Sequence, residues 1–158
     1  MSPLLMLSLL ACGGLPSTDI AGTVGGHSIG EATTAYFGGP FMYFSDTALE
    51  CMEAAFVTRY YDPDDVPTDI AHVGLQVTFF DDDVLEGRFD LGGEAAVGAS
   101  LLFVDGDDFE IYKARTGTLT VDELVERNEA SGTLELDFGE DGSLTSDWAV
   151  EWCVNVSE

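Results

Sequence analysis

The chain has 158 residues, 46% of them hydrophobic, with 30 acidic side chains against 5 basic ones and a formal charge of -25. That length suits one domain with a proper core, and that hydrophobic content excludes a disordered acidic tail. The negative surface repels phosphate backbones, so nucleic acid is excluded as a partner.

The first element is an address. Leu4 to Ala11 is nearly all apolar. The run is too short to span a bilayer, which needs about 20 apolar residues, but it suits an export signal over residues 1–11. Leu9-Leu10-Ala11-Cys12 resembles the bacterial lipobox. The resemblance implies cleavage before Cys12, a diacylglycerol on its thiol, and attachment to a membrane through that lipid, on the periplasmic side or the cell surface. The alternatives are an ordinary cleaved signal and a first strand that merely buries Cys12. Residues 12–19, broken by Pro16, read as a short tether. Residues 20–158 read as a single β domain.

From Ile20 onward, apolar runs of strand length alternate with Gly and Asp clusters, the punctuation of an all-β fold. IAGTV (20–24) and HSIGEATTAYF (27–37) flank Gly25-Gly26. The same stretch holds a literal G-x-S-x-G from Gly26 to Gly30, the pattern that presents a nucleophile in α/β-hydrolases. That elbow needs a strand before the serine, a helix after it and further strands upstream. Too little chain precedes Ser28 for those strands, and EATTAYFGGP is a poor helix. A hydrolase using Ser28 is therefore the weakest of the function classes. Gly25-Gly26 is better read as a two-residue hairpin turn, because both positions tolerate φ > 0.

PFMYFS (40–45) follows, and then the one helix candidate. Thr47-x-x-Glu50 has the form of a capping box, with Leu49, Met52 and Phe56 on one helical stripe. HVGLQVTFF (72–80) alternates strictly. Val73, Leu75, Val77 and Phe79 face the core, while His72, Gly74, Gln76 and Thr78 face water. EGRFDLG, ASLLFV, FEIYKART, TLTV and GTLELDF continue the series. In the last run Trp148, Val150, Trp152, Val154 and Val156 share a face. Two tryptophans so placed read as core rather than as a sugar-stacking platform.

Three cysteines are present: Cys12, Cys51 and Cys153. If Cys12 carries lipid, an even pair remains in an oxidising compartment, and a Cys51–Cys153 disulfide is expected. The alternative is two unpaired buried thiols. The bases are one lysine, Lys113, and four arginines, Arg59, Arg88, Arg115 and Arg127. The acids gather in turns, including Asp105-Gly106-Asp107-Asp108. Calcium takes six to eight oxygens, so Asp105, Asp107 and Asp108 are the candidate metal ligands; no other cofactor is expected. The spacing does not fit an EF-hand loop, and Asp-Gly is equally a hairpin turn. An acidic surface also serves plain solubility in a salty medium, where the Debye length is roughly 3 Å at 1 M.

These elements predict an antiparallel β-sandwich of eight to ten strands with one short helix; a small closed barrel is the alternative architecture. The layout resembles a loose group of uncharacterised secreted bacterial lipoproteins of the myxobacterial type. The matching features are the lipobox, Ile20 to Gly26, an aromatic strand ending at Ser45-Asp46, Cys51 and a terminal Trp152-Cys153. The resemblance implies a β-sandwich on the cell envelope and brings no activity with it. The leading expectation is a non-enzymatic, lipid-anchored binding or structural protein, with an envelope protein as a possible partner. A calcium-dependent adhesive or assembly module is second.

Overall fold

The computed structural model describes residues 18–51, 71–81, 83–106 and 108–153. In chain order the strands are β1 (Asp19–Val24), β2 (Gly30–Glu31), β3 (Thr34–Gly38), β4 (Phe41–Ser45), β5 (His72–Phe79) and β6 (Gly87–Leu91). After them come β7 (Val97–Asp105), β8 (Asp108–Lys113), β9 (Thr116–Val125), β10 (Glu129–Asp137), a single 3-10 turn (Gly139–Asp141) and β11 (Gly142–Trp152). The all-β expectation holds. Thr47 to Glu50, expected to open a helix, is not helical, whereas Cys51 of the same expected helix is; Met52 and Phe56, which completed that stripe, lie outside the described residues.

Of the two architectures expected, the barrel is the one formed. Eight strands pair in a ring, β10-β9-β6-β7-β5-β4-β3-β11, and β11 returns to pair with β10. The periodicity that suits a sandwich suits a barrel equally, since both bury one face of every strand. What differs is that β11 has partners on both sides, so the sheet has no break at which to split into two layers. The hairpin β1–β2 extends from β11, and β8 extends from β7. Most pairings are antiparallel, but two short ones are parallel: β6 with β7 at Leu91↔Val97, and β3 with β11 at Tyr36↔Glu151 and Phe37↔Trp152.

Alternation sets the lining. Val73, Leu75, Val77 and Phe79 of β5 lie in the main core with Leu134 and Leu136 of β10 and Leu144, Trp148 and Val150 of β11. Trp148 is buried and meets Phe44 edge-on, and Trp152 meets Phe37 edge-on, as core tryptophans do. Val154 and Val156 lie outside the described residues. Gly132 sits directly beneath Trp148: a Cβ there would lie 1.9 Å from the Thr120 carbonyl oxygen and 2.8 Å from Trp148 Cζ2.

The outer face of β4, β5 and β7 is not solvated as expected. Tyr43, Leu49 and Leu102 form a second apolar cluster there, with Tyr36, Phe109 and Ile111 packed against it. His72, expected on the wet side of β5, is buried and shares a 2.8 Å hydrogen bond with the Tyr43 hydroxyl. Burial pushes the Tyr43 phenol strongly upward, with the nearby Asp46 carboxylate adding to it. Of residues 12–19, read from the sequence as a tether, Thr18 and Asp19 are described, and Asp19 opens β1. Thr18 is buried: its hydroxyl donates to the Ala149 carbonyl and accepts the Ala149 N–H, both at 2.8 Å.

The Cys51–Cys153 disulfide forms, with Cα positions 5.6 Å apart. Cys153 is buried against Tyr36 and Phe41, immediately past the two-residue β3–β11 seam.

Candidate functional site

The serine motif folds as a turn. Val24 and His27 exchange backbone hydrogen bonds of 2.9 Å in both directions, and Gly25 and Gly26 take φ of 58° and 84°. This is the two-residue hairpin expected from the glycine pair. Ser28 is exposed just beyond it, and strand β2 follows where an elbow would need a helix.

That turn positions a polar cluster absent from the sequence reading. His27 stacks on Phe103 of β7, ring centroids 4.0 Å apart and planes 16° from parallel. Its Nε2 lies 3.2 Å from a Glu110 carboxylate oxygen on β8. The Tyr112 hydroxyl donates to the same oxygen. Glu110 and Tyr112 point the same way because they are two residues apart on a strand. The Tyr112 hydrogen bond, and then His27, hold the Glu110 carboxyl below its ordinary range; the same bond raises the Tyr112 phenol. The cluster ties the β1–β2 hairpin to β8.

The acidic turn also behaves as a turn. Asp105 and Asp108 pair directly across the β7–β8 hairpin, and Gly106 takes φ 59°. Asp107 lies outside the described residues. Among the described residues no three His, Cys, Asp or Glu side chains gather to hold a metal ion. Cys12 likewise lies outside the described residues.

The structure adds a cleft on the outer face of β5, β7 and β8. Register builds it. Tyr43, Gln76, Ser100 and Lys113 are directly opposite one another across β4, β5, β7 and β8, and so form one transverse row on one face. One position along, Phe41 pairs with Thr78, and Thr78 with Gly98. The missing side chain at Gly98 lets the Phe80 ring lie close on β7: a Cβ at Gly98 would meet Phe80 Cζ at 2.7 Å. The result is a cleft of about 520 Å³. Phe41 and Phe80 supply its aromatic surface, Gln76, Thr78 and Ser100 its neutral polar groups, and Lys113 its charge. The turn at Gly92, Gly93 and Ala95 forms one wall. Gln76 is oriented by an Nε2 donation to Thr78 Oγ1 at 3.2 Å, which leaves the Thr78 hydroxyl hydrogen to point elsewhere. Phe80 is 65% exposed, the most exposed large apolar side chain described.

The composition of this cleft is unlike that of the chain. No acid is among its described lining residues, although the chain has 30, and the single lysine is there. Its size and its mix of apolar wall with a few polar groups are those of small-molecule sites. The lysine at position 113 was visible in the sequence. Its alignment with Ser100 and Gln76 depends on strand pairing and was not. No family model, curated protein or solved structure matches the chain.

Proposed function

We propose that the chain is an exported, lipid-anchored protein of the bacterial cell envelope that binds a small molecule in the outer-face cleft without transforming it. The cleft itself carries the reading: about 520 Å³, aromatic at one end, with Lys113, Thr78 and Gln76 among its polar groups. No His, Cys, Asp or Glu lines it among the described residues, which leaves little with which to move a proton or attack a bond. The address rests on different residues. Leu9-Leu10-Ala11-Cys12 has the lipobox form, and a Cys51–Cys153 disulfide suits an oxidising compartment.

Two measurements test the two halves of this reading. The full chain, expressed in a bacterium from its own N-terminus, is recovered from the membrane fraction and weighed intact. The expected mature protein starts at Cys12 and carries a diacylglyceryl group, and Cys12→Ser abolishes both. An unmodified Cys12 in the membrane fraction overturns the anchor. For the cleft, a small-molecule fragment screen is read by amide chemical shifts. Shifts clustered at Gly92, Gly98 and Ala114 are expected, and are lost in Ala95→Trp, which fills the cleft. A screen with no fragment shifting those amides overturns binding there.

A further inference from the structure

The proposal concerns the class of molecule that the cleft takes, and it rests on the binding role just argued. We infer that the site selects a compact apolar ligand ending in a carboxylate or a similar monoanion. Its apolar body would lie against Phe41 and Phe80, and its anionic end would meet Lys113.

Charge distribution is the first ground. The chain carries 30 acids against 5 bases. Around this cleft the described lining has none, and it holds the one lysine. Lys113 makes no ion pair among the described residues. A cationic ligand would meet Lys113 as a like charge, and the nearest acids in sequence, Glu94 and Asp81, are not among the lining residues.

The donor inventory is the second. An ammonium offers only donors. The Thr78 hydroxyl oxygen already accepts from Gln76 Nε2, so its own hydrogen is left to donate. Each group therefore calls for an acceptor, and a carboxylate at Lys113 offers up to four acceptor sites. Charge-assisted bonds of this kind are roughly twice as strong as neutral ones.

The third ground is shape. The absence of a side chain at Gly98 lets the Phe80 ring lie directly on β7, where a Cβ would meet its Cζ at 2.7 Å, and the outer face of that ring forms an apolar wall. The aromatic end and the lysine are at different strands, Phe41 on β4 and Lys113 on β8, which favours a ligand with separate apolar and charged ends.

The wider field works the other way, and this gives the inference a distinctive signature. The net charge of -25 repels an anion at a distance, whereas the Lys113 contact acts at short range. At 0.15 M salt the Debye length is about 8 Å, so salt removes the distant repulsion more than the contact. Affinity for the anion should then rise from low to physiological salt, opposite to an ordinary ion-pair site.

The test uses three matched probes on the full-length chain by calorimetric titration: 4-phenylbutyrate, 4-phenylbutanol and 4-phenylbutylamine. The carboxylate is expected to bind at least tenfold more tightly than the alcohol, with the amine weaker than both. Lys113→Gln should bring the carboxylate down to the alcohol's affinity, and Lys113→Arg should largely restore it. If acid and alcohol bind equally, or the amine binds best, the anionic class is wrong while the binding role stands. If none of the three binds, the ligand class fails here, and the fragment screen on Gly92, Gly98 and Ala114 decides separately whether the binding role fails with it.

Discussion

The Cys153 backbone N–H donates to the Phe37 carbonyl at 2.8 Å, one residue beyond the last paired position of the β3–β11 seam. That seam is two residue pairs long, and the Cys51–Cys153 bond follows it directly. The disulfide therefore sits at one of the two shortest joints of the barrel. It also closes a loop of 102 residues. Removing it with Cys51→Ala/Cys153→Ala is expected to cost about 2–4 kcal/mol in denaturant unfolding, below the roughly 4.7 kcal/mol of the chain-entropy model for a loop near 100 residues. Hydrogen exchange should locate the loss: the Trp152 and Cys153 amides exchange faster, while those of the β9–β10 hairpin change least.

Glu110 gives a pH prediction with a defined sign. Its carboxyl is held below the ordinary range by Tyr112 and His27. A depressed native pKa adds stability above the unfolded-state value and loses it as the pH falls through the native one. Glu110→Gln should therefore melt lower than the parent chain at pH 7. The gap should close as both are acidified through the carboxylate range. A gap that persisted at the acid end would mean that shape, not charge, holds the β1–β2 hairpin to β8.

Gly132→Ala is expected to be among the most costly single-methyl additions in the barrel wall. The new Cβ would lie 1.9 Å from a backbone oxygen of β9 and 2.8 Å from the Trp148 ring, and neither can swing away. Overpacking of this kind costs about 1–3 kcal/mol or more. Urea unfolding measures it, and Trp148 fluorescence should report the displaced ring.

Tyr43→Phe removes the hydroxyl bonded to His72 at 2.8 Å beneath the outer apolar cluster. Leaving a buried polar group short of a partner costs about 1–3 kcal/mol. The loss should be visible as a lower urea midpoint with an unchanged m-value.

Salt should stabilise the whole chain. With a charge of -25 on a small domain, 1 M NaCl is expected to raise the melting temperature by screening self-repulsion. Calcium at matched ionic strength separates a general effect from a specific one. A further rise with calcium, lost in Asp105→Asn/Asp108→Asn, would assign the β7–β8 turn a metal site; no further rise would leave its aspartates as turn residues.

Local chemistry was legible and long-range pairing was not. The Gly25-Gly26 turn, the inward set Val73, Leu75, Val77 and Phe79, and the cysteine pair follow from φ preferences, a period of two and an even cysteine count. The barrel does not follow from these, because its closure depends on β3 meeting β11 across more than a hundred residues. His72 read as solvated because alternation gives one core face per strand, whereas the second face of β5 is also covered, with Tyr43 lying against Gly74 and bonding His72. The cleft was hidden for the same reason: Gln76, Ser100 and Lys113 are unremarkable apart and become a row only through register.

The long last strand has a kinetic consequence. β1, β3 and β10 all hydrogen-bond to β11, so two strands of the wall and the β1–β2 hairpin wait for Gly142–Trp152 before their second edge is paired. Such a chain has high contact order and is expected to fold in milliseconds to seconds rather than microseconds. It cannot close its barrel until Gly142–Trp152 is in place, and until then β3 and β10 each present an open edge.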